Sequence, residues 1–214
     1  MKHIFLAGGG SEKDSRKIDE EFVKTVDLTK PLVYIPNAAK EGKFSSCLAW
    51  FKSAMTPLGV ENIEMWDSLE PRYPIDKIAG IYLGGGNTWK LLEELRESRF
   101  VDYLLQAIEV GTSVYGGSAG AIILGKDIRT DISLENLKSR GFEGLDVVSG
   151  YSVACHYRPE QASQISKLVG TLGCRIIAIP EKSGIYLRGE VLSVFGEKPA
   201  YIFNGSEITR LKPG

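Results

Sequence analysis

Ser113-Val114-Tyr115-Gly116-Gly117-Ser118-Ala119-Gly120-Ala121-Ile122-Ile123-Leu124 is the stretch that decides the fold of this chain. A β-branched and aromatic run turns within a few residues into a run of small and aliphatic residues, with Ser118 inside the pattern Gly-x-Ser-x-Gly. Small residues on both sides let a strand and a helix approach closely, so the pattern predicts a sharp strand-to-helix turn. Its serine would carry a strained backbone and an exposed hydroxyl at the dipole-positive end of the helix. A glycine-rich packing turn with an incidental serine would use the same residue types. Agreement between the motif and its flanking elements favours a nucleophile.

Outward from that turn, short β-rich runs alternate with amphipathic stretches, as in a parallel sheet covered by helices. Strands are expected at His3–Ala7, Leu32–Pro36, Asn62–Trp66, Gly80–Leu83 and Ser113–Gly116. Helices are expected at Asp19–Val26, Phe44–Pro57, Thr88–Glu97, Phe100–Val110, Ala119–Leu124 and Pro159–Leu172. After Gly173 the texture changes to closely spaced strands, Arg175–Ile179, Gly184–Arg188, Val191–Phe195 and Ala200–Asn204, joined by Gly, Lys and Pro turns. The class is α/β, with a mostly parallel sheet flanked by helices and a C-terminal antiparallel β segment. No repeat or linker-like stretch interrupts it, so a single domain over residues 1–214 is expected.

Composition narrows the function. The 214 residues are 43% hydrophobic, enough for a substantial core. The 26 basic and 27 acidic side chains leave a net charge of -1 without blocks of like charge, so nucleic acid is not an expected partner, and no membrane partner is expected either. No run approaches the roughly 18 apolar residues of a membrane span, and a cytoplasmic location is expected. Cys47, Cys155 and Cys174 are odd in number and widely spaced, which suits reduced thiols rather than a disulfide framework or zinc site. With only His3 and His156, a histidine-rich metal centre is excluded by counting, and no cofactor is expected.

Two glycine triplets, Gly8–Gly10 and Gly84–Gly86, follow expected strands. Neither fits a dinucleotide fingerprint, because the third glycine would fall at Lys13 or Trp89. The first triplet is expected to be a tight turn. The second leads into Asn87-Thr88 and a helix, presenting unpaired N–H groups at a strand end, which suits a developing anion.

A serine hydroxyl needs a base, and imidazole is the usual one. His3 begins the first strand, away from the end where open α/β sheets bind ligands, whereas His156 closes the apolar run Tyr151–Cys155 and is the expected base. A carboxylate must then orient the imidazole. Glu181, after Arg175–Ile179 and Pro180, gives the chain order Ser, His, Glu; Asp131, in Ile128-Arg129-Thr130-Asp131, gives Ser, Asp, His. Glu181 is favoured, since Asp131 does not clearly follow a strand.

Taken together and in order, Gly116–Ala121, the loop Leu83–Leu95, Val153–Glu160 and Ile176–Gly184 resemble the peptidase E family of serine peptidases, which comprises aspartyl dipeptidases and is related to the cyanophycinases. The resemblance spans nearly the whole chain, including Val33–Lys40. It implies a fold like the class I glutamine amidotransferases, with Ser118 as nucleophile, His156 as base and Glu181 as third member. It also implies Gly86 and Ala119 as oxyanion-hole donors, Asn87 at the substrate, and a supporting role for Asp131. The substrate it implies is a small peptide, a dipeptide with N-terminal Asp among the options, and it allows a homodimer. Aspartyl dipeptidases of the family carry an extended basic loop after the histidine. Here only Tyr157 and Arg158 separate His156 from Pro159, so Arg158 is the residue left to read an acidic side chain. An esterase or amidase using the same residues and a non-catalytic binding domain are the competing readings.

Overall fold

The computed structural model describes residues 1–134 and 141–214. Strands β1 (His3–Ala7), β2 (Leu32–Ile35), β3 (Ile63–Met65), β4 (Gly80–Leu83) and β5 (Ser113–Gly117) are parallel to one another in a seven-stranded sheet. Two antiparallel strands, β8 (Ser183–Arg188) and β9 (Val191–Gly196), complete it in the order β3-β2-β4-β5-β1-β8-β9. Side chains alternate across the pleat, so β1 sends Phe5 and Ala7 to one core and Ile4 and Leu6 to the other. The first core is closed by Ile18 and Phe22 of α1 (Glu12–Val23) and by Phe51 and Met55 of α2 (Phe44–Met55). The second is closed by α3 (Thr88–Glu97), α4 (Phe100–Val110) and α5 (Ala119–Leu124). Burial on both faces explains why these strands read as continuous apolar runs.

A second sheet runs β11-β10-β7-β6, from β6 (Ser152–Cys155), β7 (Ile176–Ile179), β10 (Ala200–Asn204) and β11 (Glu207–Leu211), with α6 (Ala162–Leu172) packed on it through Ile165 and Val169. Pairings among the C-terminal strands are all antiparallel, as expected, but the strands are divided between the two sheets. β8 and β9 join the first sheet, whereas β7 pairs parallel to β6 and antiparallel to β10. β11 lacks an apolar signature because it is an exposed edge strand.

Helix α1 begins seven residues before its apolar periodicity would place it, at Glu12 rather than Asp19. The cause is local: Asp14 Oδ2 accepts hydrogen bonds from the Ser11 N–H and hydroxyl, both at 2.8 Å, which nucleates a polar first turn. Pro159–Gln161 forms a 3-10 turn ahead of α6, and Thr56–Leu58 does the same after α2.

Within the first core Asp19 is 1% exposed, accepting from Tyr115 Oη at 2.6 Å and Ser15 Oγ at 2.7 Å. Burial raises its carboxyl from 3.8 to about 6 despite those donors. The folded state thus holds a proton that the unfolded chain has already released. Its stabilising effect is fully present below about pH 3.8 and is lost as the pH rises through about 6, an effect of about 3 kcal/mol. Urea denaturation from pH 4 to 7 is expected to show wild type losing this increment relative to Asp19→Asn; parallel pH profiles for the two proteins would contradict it.

Candidate active site

The C-terminal ends of β1, β4, β5, β6 and β7 converge on one place, and each delivers a piece of the site. At the end of β5, Ser118 adopts φ 50° and ψ -110° as the residue preceding α5, the strained turn that the sequence pattern requires. The residues two positions away on each side must be glycine for steric reasons: a Cβ on Gly120 would lie 2.3 Å from Leu83 O, and one on Gly116 2.5 Å from Ala121 N. The register Ala7↔Gly117 sets β1 beside the turn, and the Ser118 N–H donates to Ala7 O at 3.1 Å.

β6 and β7 supply the partners. They run parallel with Cys155 opposite Ile179, so the chain leaves both strands side by side, His156 following the first and Glu181 the second by two residues. His156 Nε2 is 2.8 Å from Ser118 Oγ, and its Nδ1 is 2.9 Å from Glu181 Oε1. With Nδ1 carrying the proton, the imidazole donates to Glu181 and accepts from the serine hydroxyl. His156 itself has φ 53° and is held by its N–H to Gly8 O at 2.9 Å. Its side chain and that of Glu181 are 47% and 52% exposed, so their mutual attraction is screened by water and its value lies in orientation.

The Gly84–Gly86 loop ends β4. Gly86 has φ 144°, and a Cβ there would lie 2.2 Å from Ala38 O, so only glycine brings this backbone so close to the loop after β2. Its N–H and that of Ala119, the first residue of α5, have no backbone acceptor among the described residues. Asn87 caps α3, its Oδ1 accepting from the Lys90 N–H at 2.9 Å.

Asp131 does not touch His156. Its Oδ2 accepts from Thr88 Oγ1 at 2.5 Å, and its Oδ1 from the Ser133 N–H at 3.0 Å and Oγ at 2.6 Å. Asp131, Arg158 and Gln161 line a cavity of about 240 Å³ that opens on one side of Ser118. On the other side a smaller cavity of about 150 Å³ is lined by Trp50, Tyr82 and Ser15, and Gly86, Ser118 and His156 border both. His3 lies at the opposite end of β1 from Ala7, with Nδ1 2.5 Å from Tyr186 Oη, out of reach of Ser118. Cys155 borders the larger cavity, but burial pushes its thiol far above the usual range, which leaves it protonated and unreactive.

Three contributors escape a reading of the sequence. Gly9 is one, since a Cβ on it would lie 2.2 Å from His156 Cε1. Thr88 holds Asp131, and the aromatic wall of Trp50 and Tyr82 comes from α2 and β4. Only the glycine triplet left a signal, a third strand end rich in glycine.

The chain matches the model of Peptidase family S51 over residues 4–195. It belongs to Peptidase family S51. Peptidase E of Shewanella denitrificans is 27% identical over 198 residues, 87% of this chain and 84% of that protein. Peptidase E of Shewanella oneidensis is 28% identical over 197 residues, 87% and 83% of the two chains. Among solved structures, a peptidase from an acI-B1 Actinobacterium superposes with a TM-score of 0.79 at 18% identity, covering 100% of this chain and 95% of that one. A Listeria monocytogenes EGD-e protein does so at 0.71 and 23%, covering 92% and 100%, which extends the shared fold. As a family S51 member, the protein is a serine-type peptidase. Among the described residues no helix is long and apolar enough to cross a membrane.

Because the imidazole of His156 rests on Gly9, Gly9→Ala is expected to displace the ring and lower turnover by about 100-fold, the usual consequence of an ångström-scale misplacement. Strain at φ 93° should cost only about 1–3 kcal/mol in a denaturant melt. Full activity in this variant would show that the observed ring position is not required.

Proposed function

We propose that the protein hydrolyses short peptides, dipeptides above all, through an acyl-enzyme on Ser118, with His156 as general base and Glu181 orienting it. The observation carrying this reading is the relay of two contacts, 2.8 Å from Ser118 Oγ to His156 Nε2 and 2.9 Å from His156 Nδ1 to Glu181 Oε1. In the first half-reaction Ser118 Oγ attacks the scissile carbonyl while Nε2 takes its proton, and the negative oxygen faces the N–H groups of Gly86 and Ala119. The imidazolium returns that proton to the leaving amine, and the C–N bond breaks. Water then attacks the ester, with Nε2 again taking a proton and restoring it to Ser118, and the acid product leaves.

Substrate size follows from the cavities, about 240 and 150 Å³, which flank the nucleophile and suit one residue on each side of the scissile bond. Arg158 on the larger cavity offers a cationic partner to an acidic N-terminal side chain, which supports acceptance of N-terminal Asp without the longer basic loop of the aspartyl dipeptidases.

Ser118→Ala is expected to abolish dipeptide hydrolysis and labelling by a fluorophosphonate, while circular dichroism and melting stay near wild type; residual turnover above a few per cent would remove Ser118 from the mechanism. Glu181→Gln should lower kcat by roughly 10²–10⁴ with little change in KM, since an amide can fix the wrong tautomer and cannot stabilise imidazolium. Asp131→Asn should act chiefly on KM. Steady-state kinetics on the two variants decides between the carboxylates: if Asp131→Asn destroys kcat and Glu181→Gln does not, the relay runs through Asp131.

A further inference from the structure

Asp131 is the acidic group among the described residues that line the larger cavity, and none of those residues pairs with its charge. It receives three hydrogen bonds from neutral donors, Thr88 Oγ1 and the Ser133 N–H and Oγ, while no lysine, arginine or histidine among the described residues comes within ion-pair distance. The ionisable groups lining the same cavity are Cys155, His156, Tyr157 and Arg158. His156 is engaged with Ser118 and Glu181, and Arg158 has its backbone, not its guanidinium, fixed by Gln161. A carboxylate so held borders the cavity in a set orientation, with no cation against it among the described residues.

Its anchorage suggests which cation it awaits. Thr88 lies two residues after Gly86 in the same turn into α3, so the 2.5 Å contact ties Asp131 to the backbone that faces the developing oxyanion. The spacing between that anion site and Asp131 is thereby fixed. In an unblocked peptide the α-ammonium is borne by the carbon bonded to the first carbonyl, so its distance from the attacked oxygen is also fixed. A lysine or arginine side chain, with several free torsions, needs no such fixed spacing and would meet Arg158 in the same small cavity.

We infer that Asp131 binds the free α-ammonium of the substrate and so restricts cleavage to the first peptide bond of an unblocked amino terminus. The inference rests on the peptidase reading of Ser118 and adds the feature of the substrate that is recognised. Arg158 then remains available to a side chain, which divides the N-terminal residue between two charged partners in one cavity.

The test compares an aminoacyl dipeptide such as Ala-Leu with its des-amino analogue, propionyl-Leu, which keeps the shape and loses the ammonium. Wild type should favour the free amine by roughly 10- to 100-fold in kcat/KM, the range for a charge-assisted hydrogen bond, mostly through KM. Asp131→Asn should bring that ratio to about threefold or less, since the amide lacks the charge. With wild type alone, KM for Ala-Leu should rise above about pH 8 as the substrate amine deprotonates, and KM for propionyl-Leu should not. A purely structural role for Asp131 would lower both substrates together and leave the ratio intact. Should Asp131→Asn fail to fold, Thr88→Val, which frees one carboxylate oxygen, must still narrow the ratio. Equal cleavage of the two compounds by wild type, or full discrimination in Asp131→Asn, overturns amine recognition while leaving the peptidase standing. Hydrolysis of neither compound at Ser118 overturns the dipeptidase reading and this inference with it.

Discussion

One backbone junction at the end of β1 fixes the relative positions of Ser118, His156 and the turn that carries Glu181. Ala7 O receives the Ser118 N–H, Gly8 O receives the His156 N–H, and the Gly8 N–H donates to Ser183 O, two residues past Glu181. Three segments far apart in sequence are thus pinned to two consecutive peptide groups. The approach is possible because Gly8 has no side chain, a Cβ there falling 2.1 Å from Pro180 O. Packing of the second sheet against the first is therefore inseparable from assembly of the site. Any slip in the β1–β5 or β6–β7 register would move Ser118, His156 or Glu181 by a whole residue step of about 3.3 Å.

Strain accompanies this arrangement. Ser118 and His156 both lie at positive φ, 50° and 53°, where non-glycine residues are disfavoured by about 1–3 kcal/mol each. Surrounding order holds them there. Gly116, Gly117, Ala119 and Gly120 are buried between the cores, and Tyr115, in the middle of β5, is fully buried among Phe5, Phe22 and Tyr82. The Ser118 hydroxyl is consequently presented between a buried strand and a buried helix.

The two flanking cavities differ in chemistry, and that difference gives the site direction. One side offers a carboxylate and a guanidinium, from Asp131 and Arg158, whereas the other is walled by Trp50 and Tyr82. Ser15 borders the aromatic side and donates to buried Asp19, whose second donor is Tyr115. The wall of the smaller cavity is accordingly continuous with the buried polar network of the first core.

Sequence alone determined the local pieces. Periodicity gave α3, α4, α5 and β1 at their observed bounds because each buries a regular stripe or run, and the Gly116–Gly120 pattern gave the serine turn because a Cβ at Gly116 or Gly120 would strike backbone. Capping by Asp14 and the polar edge strand β11 escaped for lack of an apolar pattern. Glu181 and Asp131 remained rivals for His156 on chain order. Tertiary structure decided between them as neighbours, for the parallel β6–β7 pairing puts Glu181 against the imidazole, while Thr88 draws Asp131 into the adjoining cavity. It also divided the C-terminal strands between two sheets and made Gly9 a support for His156. Hydrophobic pattern and turn chemistry act over a few residues and can be read from neighbours in the chain. Strand pairing and close approach join residues separated by dozens of positions, and their outcome is fixed only when the cores pack.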